Sequence, residues 1–487
     1  MFEAVELGQK VSKKTFEKEL PELRTRLIRA QNAFQSYKGP LMVIFHGLDG
    51  AGKGELMNYI GGLMDLRDIE INTFWKETEA ESKRPPFWKY WMSIPQRGHI
   101  SFSFGAWYTG PMLSLVKNET DIPVFERQMK RAARFEETLA NDGAIILKFW
   151  FHLSKKSAKG KLDVLKKKYG KGDIYDRAMW HREKYDAIVN AAERGIRITD
   201  SASSRWHLVE ADDKWHRTKK VLEILTGTME AALKKEEAGV SAQPPGNINS
   251  APPVLSRIDL SNSLDKGEYK KSLAKHQERL NTLAWEVYNQ GKSVIAMFEG
   301  WDAGGKGGAI RRLVQGMDIR LVSVHSVAAP TREEIAHHYL WRFWRDIPRE
   351  GFISIYDRSW YGRVLVERVE GFASPQEWGR SYEEINDFEE QLTESGIILL
   401  KFWMHISPEE QLKRFKQREE LPWKQYKITE EDYRNREKWE LYEDAANEMI
   451  ARTSTGFSPW TLVAGDDKRY ARIKVMETFC EKLEGSL

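Results

Sequence analysis

Cysteine is almost absent from this chain, with Cys480 the only one in 487 residues. An intrachain disulfide and a thiolate-held metal cluster are thereby excluded, in keeping with a reducing compartment. Long hydrophobic runs are lacking as well. No uncharged apolar stretch approaches the roughly 20 residues of a membrane span, and the N-terminus carries no signal-peptide pattern. A cytoplasmic protein with no membrane partner is expected. An excess of one charge is also missing: 76 Lys and Arg stand against 72 Asp and Glu, a net +4. That is too little to imply nucleic-acid binding, although a local basic channel is compatible with it. Histidine is scarce, and His325 and the pair His337-His338 are too isolated to suggest a transition-metal site. Hydrophobic residues, at 41%, are plentiful enough for packed interiors, and the length allows two or three domains. Of the 18 tryptophans, Trp150, Trp206, Trp403 and Trp460 fall in or beside apolar runs, where core packing is the expected role.

Glycine is concentrated in two copies of one element. These are Gly47-Leu48-Asp49-Gly50-Ala51-Gly52-Lys53-Gly54 and Gly300-Trp301-Asp302-Ala303-Gly304-Gly305-Lys306-Gly307, with the lysines 253 positions apart. Each G-x-x-x-x-G-K follows an apolar run (Leu41 to Phe45; Val294 to Phe298) and precedes a helix-forming stretch, the context of a phosphate loop. Its glycines let successive N–H groups converge on phosphate oxygens at a helix N-terminus, and its lysine adds positive charge. A glycine-rich turn with an incidental lysine is the bland alternative, and a second copy in matching context argues against it. The Ser or Thr that usually holds magnesium is missing after each lysine, where Gly54 and Gly307 stand. A metal must then find ligands elsewhere, and Asp49 and Asp302 are the nearest candidates. Phosphoryl transfer is the chemistry expected.

The repeat runs past the loops. Gly98-His99-Ile100-Ser101 matches Gly351-Phe352-Ile353-Ser354, and Lys148-Phe149-Trp150 matches Lys401-Phe402-Trp403, at the same offset. After a one-residue slip, Arg182-Glu183-Lys184 matches Arg436-Glu437-Lys438, and Asp212-Asp213-Lys214 matches Asp466-Asp467-Lys468. A repeat this long is a domain duplication, since solenoid units are far shorter. Domains over 1–235 and 264–487 are expected, joined by a linker over 236–263 that contains Pro244-Pro245 and Pro252-Pro253.

Each half opens with a predicted helix, about Lys13 to Tyr37 and Asp265 to Gln290. In the second half, short apolar runs at Val294–Phe298, Leu321–His325, Phe352–Tyr356, Ile397–Trp403 and Trp460–Ala464 alternate with longer amphipathic stretches. This β-α order predicts an α/β fold with a parallel sheet covered by helices on both faces. Ligands then belong at the carboxyl ends of the strands.

The third predicted strand of that half runs into Tyr356-Asp357-Arg358-Ser359-Trp360-Tyr361, with Glu367 beyond. An acid closing a buried strand beside a phosphate loop is placed to bind or orient magnesium, and an adjacent arginine to neutralise a transferring phosphoryl group. An ion pair that merely caps the next helix is the structural alternative. It does not explain why loop, acid and arginine occur together.

These motifs, with Arg414-Phe415-Lys416-Gln417-Arg418 and Pro459-Trp460 ahead of Asp466-Asp467-Lys468, resemble the family-2 polyphosphate kinases. The tandem, two-domain subgroup of polyphosphate:AMP phosphotransferases is the most similar, and the likeness covers nearly the whole chain outside the linker and the extreme N-terminus. The resemblance implies two tandem P-loop kinase domains, similar to thymidylate kinase, with a helical lid. It implies phosphoryl transfer from inorganic polyphosphate to AMP to give ADP, assisted by Mg²⁺, with Mn²⁺ as a substitute. Gly300, Gly304, Gly305, Lys306 and Gly307 would hold phosphates. Asp302 and Asp357 would hold or position the metal, and Glu367 would complete its acidic side. Arg358 would stabilise the transferring group, and Arg414 and Arg418 would belong to the lid above the phosphates. Where many single-domain members have asparagine, this chain has Gly362, so their nucleotide preference does not transfer.

Charge bears on the donor independently. A flexible polyanion needs a row of cations, and Lys413, Arg414, Lys416, Arg418, Lys424 and Lys427 supply one, although a solvated helix face is the commoner meaning of such a run. The first half departs at the decisive positions. Asp357 corresponds to Phe104, Arg358 to Gly105 and Glu367 to Ser114, while Trp107 and Tyr108 still match Trp360 and Tyr361. A degenerate domain is expected there, keeping a loop (Asp49, Gly52, Lys53, Gly54) without catalysis and holding polyphosphate through Lys53 and the lysines from Lys155 to Lys171. Two rival readings remain at this level, an ATP-dependent nucleoside-monophosphate kinase and a non-catalytic polyphosphate-binding protein. A homo-oligomer is left open.

Overall fold

The computed structural model describes residues 1–74, 77–237, 253–422, 428 and 430–487. Most of the predicted linker, and Lys424 and Lys427 of the cationic run, lie outside them. The chain divides into two compact units. One comprises Met1–Glu77, Lys89–Ser241 and Arg332–His338, and the other Thr78–Trp88, Ala242–Thr331 and Tyr339–Leu487.

The first unit holds strands β1 (Leu41–Gly47), β2 (Ile69–Thr73), β3 (Ile100–Phe104), β4 (Ile145–His152) and β5 (Trp206–Glu210). The second holds β6 (Val294–Gly300), β7 (Val322–Ser326), β8 (Ile353–Asp357), β9 (Ile398–His405) and β10 (Trp460–Ala464). Each set forms one parallel sheet, in the orders β2-β3-β1-β4-β5 and β7-β8-β6-β9-β10. The strand that feeds the phosphate loop is therefore central in both. Residues Val294 to Phe298 of β6 have no exposed surface, as expected of a strand covered on both faces.

The predicted opening helices are present as Lys13–Phe34 and Lys266–Asn289. Ser12 accepts the Thr15 N–H at the start of one, and Asp265 accepts the N–H groups of Gly267 and Glu268 at the start of the other, which satisfies donors a helix start leaves unpaired. Leu280 and Leu283 of the second pack with Val475, Phe479 and Leu483 of the helix Lys468–Glu484 in the core behind β6. Cys480 is buried in that core. Among the described residues no helix is long and apolar enough to cross a membrane.

A buried ion pair anchors each sheet. Lys401 on β9 meets Glu389 at 2.7 Å and also donates to the Thr453 carbonyl at 2.7 Å. The same carboxylate accepts from the Trp360 indole at 3.1 Å and the Tyr361 hydroxyl at 2.7 Å. The first unit repeats this with Lys148, Glu136 at 2.7 Å, the Thr199 carbonyl and the Trp107 indole. The Lys-Phe-Trp and Trp-Tyr repeats are thus scaffold.

Candidate active site

Strand β6 ends at Gly300, whose φ of +133° and proximity to the Met404 backbone leave no room for a Cβ. The chain then turns through residues 301–305 into the helix Lys306–Gln315. Lys306 Nζ donates to the carbonyls of Gly300 at 2.6 Å and Trp301 at 3.2 Å, which places the ammonium at the mouth of the loop.

Parallel pairing sets Asp357 opposite Phe298, so β8 delivers the acid beside the loop. Its Oδ2 lies 3.8 Å from where a Cβ would stand on Gly307. The next residue, Arg358, donates to Asp302 Oδ1 at 3.0 Å, and the other oxygen of Asp302 accepts from Asn435 at 3.0 Å. Burial pushes the Asp302 carboxyl up, but Lys306, Arg358 and the Asn435 amide outweigh it and hold the group below its ordinary value. Asp302 is an anion at neutral pH.

Two residues of this site carry backbone strain. Ala303 (φ 58°) and Arg358 (φ 64°) adopt the left-handed conformation that side chains disfavour. The first unit has Gly50 (φ 86°) and Gly105 (φ 70°) at the same repeat positions. The second unit therefore bears strain to put a guanidinium where the first has only backbone.

Two of the expected site residues have protein partners of their own. Glu367 does not join Asp302 and Asp357; it pairs with Arg363 at 3.0 Å, one helical turn away. Among the described residues no group of three or more His, Cys, Asp or Glu is placed to hold a metal ion. Arg414 is buried, in the wall of a cavity beside the loop. It donates to the carbonyls of Ala303 at 2.8 Å, Gly465 at 2.6 Å and Asp466 at 3.0 Å, and to Glu410 at 2.7 Å. Its guanidinium ties the phosphate loop to the end of β10.

Two cavities adjoin the loop. The first, of about 250 Å³, lies against residues 303–305 and is lined by Arg414, Arg418, Lys468 and Arg472. The second, of about 70 Å³, opens on Asp302 and Arg358 and is walled by Trp301, Trp403, Trp439 and Tyr442. Trp301 and Trp439 stack with centroids 3.6 Å apart and planes 9° from parallel.

Sequence reasoning missed Glu299, Asn435 and Trp439. Glu299 precedes Gly300, is buried, and accepts from the Ser359 hydroxyl at 2.8 Å. Burial raises its pKa against the pull of Lys306 and Arg358. The repeat held the signal, since the matching position is His46.

In the first unit Lys53 donates to the carbonyls of Gly47 at 2.7 Å and Leu48 at 2.8 Å and lies 3.5 Å from Asp49. Arg217, which matches Ala471 after the slip, donates to the carbonyls of Ala51 at 2.8 Å and Ala211 at 3.2 Å and to Glu55 at 3.0 Å. A buried arginine thus ties the loop to the end of β5, as Arg414 ties it to the end of β10 in the second unit.

The polyphosphate kinase 2 (PPK2) family model matches residues 10–237 and 263–487. The polyphosphate:AMP phosphotransferase of Pseudomonas syringae pv. tomato is 43% identical over 489 residues, 99% of this chain and 98% of that protein. The protein of that name from Pseudomonas aeruginosa is 43% identical over 496 residues, 100% of this chain and 99% of that one. A crystal structure described as polyphosphate kinase 2 from Pseudomonas aeruginosa PA01 superimposes with a TM-score of 0.91 at 42% identity, covering 100% of this chain and 99% of that one. With the phosphate loop, the strand-ending acid and the arginine in both sequence and structure, and with both halves matched, the chain belongs to the polyphosphate kinase 2 family.

Proposed function

We propose that the second unit transfers the terminal phosphoryl group of inorganic polyphosphate to AMP, giving ADP and a chain shorter by one unit. The pair of unlike cavities on one phosphate loop carries this reading. The cationic one offers Arg418, Lys468 and Arg472, which suits a polyanion. The aromatic one ends on Arg358 and Asp302 and suits a nucleotide acceptor.

An oxygen of the AMP phosphate attacks the terminal phosphorus in line. The new P–O bond forms as the bond to the penultimate unit breaks, and the leaving oxygen keeps the electron pair. The acceptor phosphate is already ionised at neutral pH, so positioning and charge compensation matter more than a general base. Lys306 and the loop amides hold the donor's terminal phosphates, and Arg358 neutralises the transferring group. No nucleophilic side chain takes part, and no phosphoenzyme forms. Asp302 and Asp357 fit Mg²⁺, or Mn²⁺, because such an ion needs one or two carboxylates and completes its shell with water and substrate oxygens. Bound there, the ion supplies charge neutralisation at the phosphate oxygens. We assign the first unit no turnover, since Phe104 and Gly105 provide neither carboxylate nor guanidinium. We assign the reaction to the cytoplasm, a reading that the near absence of cysteine supports.

The test is ADP formation from AMP and Mg²⁺ by the purified full chain, with polyphosphate in one reaction and ATP in the other, and Asp357→Ala as control. Polyphosphate-dependent ADP that disappears in the variant is expected. Activity with ATP alone would replace the donor, and silence with both would make the chain a binding protein.

A further inference from the structure

The first unit has lost its catalytic charges, yet it keeps a cavity where the second unit has its aromatic one. Gly47, Asp49, Trp150, His181 and Ile188 line it, at the repeat positions of Gly300, Asp302, Trp403, Asn435 and Tyr442 in the second unit's pocket. Loss of function normally relaxes such a space into packed core, because an empty apolar void forfeits contacts on every side. Here the space has widened, from about 70 Å³ in the second unit to about 250 Å³ in the first. The replacements account for the gain: Gly105 removes the arginine side chain, and Ile188 is smaller than tyrosine.

The walls specify a ligand. Phe74, Phe104, Met112, Leu113 and Trp150 make one side apolar and largely aromatic, which suits a flat heterocycle. The indole N–H of Trp150 is buried and has no hydrogen-bond partner. In the second unit the equivalent Trp403 donates to His405 at 3.4 Å. An unpaired buried donor is costly unless something accepts from it. The other end of the cavity is cationic. Lys53 stands at the phosphate loop, and Arg177 approaches Asp49 to 3.8 Å, so two cations meet one carboxylate. His181 also faces Asp49, at 3.7 Å, and burial lowers its pKa.

We propose that the cavity of the first unit is a second, non-catalytic site for a nucleoside monophosphate, with the base against Trp150 and Phe104 and the phosphate toward Lys53 and Arg177. This goes beyond the transfer reaction assigned to the second unit and does not depend on it. Where the first half was expected to hold polyphosphate, the geometry points to a nucleotide.

The experiment is AMP binding to the full chain by equilibrium dialysis, together with photolabelling by 8-azido-AMP and peptide mapping. Two AMP per chain are expected, with label in a peptide bearing Met112 or Trp150 as well as in the second unit, and excess AMP protecting both. Arg177→Glu changes a half-exposed side chain and should lower label in the first unit at least tenfold while leaving label in the second. Leu113→Trp, which fills the cavity, should do the same. One AMP per chain with label confined to the second unit would overturn the proposal. One AMP per chain with label confined to the first would uphold it and overturn the acceptor pocket assigned to the second.

Discussion

Arg358 donates to Asp302 at 3.0 Å from a left-handed backbone, φ 64°. Its counterpart Gly105 has nearly the same backbone, φ 70°, and no side chain to offer. The two units therefore differ here by a guanidinium and by the strain of holding it. Arg358→Gly should lower kcat by about 10³, the order an arginine contributes to phosphoryl transfer. Strain relief of about 1–3 kcal/mol is set against a lost ion pair and the greater freedom of unfolded glycine, so stability should stay within about 1 kcal/mol of wild type. Steady-state ADP formation and a denaturant midpoint check both halves. Unchanged kcat would remove Arg358 from the mechanism.

The two loop lysines make a paired test. Both reach back to the loop's own carbonyls, Lys306 to Gly300 and Lys53 to Gly47, so geometry alone does not separate them. Their neighbours do, since only Lys306 has a strand-ending acid and an arginine beside it. Lys306→Ala should abolish turnover by at least about 10², whereas Lys53→Ala should keep at least about a third of it. Equal losses would mean that both units share the chemistry.

Much of the fold could be read directly because central parallel strands bury both faces and so appear as unbroken apolar runs. The run Val294–Phe298 became β6 with two residues more, and Trp460–Ala464 became β10 without change. The loop lysines and the acid–arginine pair were legible because each sits at a strand end that the apolar pattern marks. Asn435 was not, since it lies 133 positions from the Asp302 it contacts. The bonds of Arg414 to the carbonyls of Ala303 and Gly465 were not legible either, because an arginine in an amphipathic run looks the same whatever it meets. Glu367 was lost to a local partner, Arg363, four residues before it.

The buried pair Lys401–Glu389 should matter to stability and only indirectly to turnover. Both side chains have no exposed surface, and removing one partner of such a pair strands the other. Glu389→Gln should cost about 3–5 kcal/mol, because the amide keeps the oxygen that accepts from Trp360 and Tyr361 but sets an N–H group against the Lys401 ammonium. The double variant Lys401→Met with Glu389→Leu should regain a good part of the loss, read as urea midpoints at fixed protein concentration. Additive losses would show that the charges do not act as a pair.

Donor and acceptor should respond separately to changes in the cationic cavity. Lys468→Ala and Arg472→Ala each remove a cation from its wall, and a charge-assisted contact with phosphate is worth about 1.5–3 kcal/mol. The KM for polyphosphate should rise about tenfold or more, with the KM for AMP nearly constant. The wild-type KM for polyphosphate should also climb with salt more steeply than that of either variant, because screening acts on the same charges. A shift in the AMP constant instead would exchange the roles of the two cavities.

His46 replaces Glu299 beneath the first unit's loop, and the consequence is a pH dependence of stability. Burial first, then Lys53 and His181, lower its pKa from 6.5 to about 3, with Asp49 pulling the other way. The folded state keeps this imidazole neutral at pH values where the unfolded chain protonates it. Its contribution to stability is therefore complete above about pH 6.5 and is lost as the pH falls toward 3, because the unfolded state then binds the extra proton. His46→Gln removes the titration, so the fall in urea midpoint of the first unit's unfolding between pH 7 and pH 4 should be shallower in the variant. His181 is depressed as well and leaves a residual slope, which His181→Gln in the same background should reduce further. A variant curve parallel to wild type would show that His46 is protonated as readily in the folded chain as in the unfolded one.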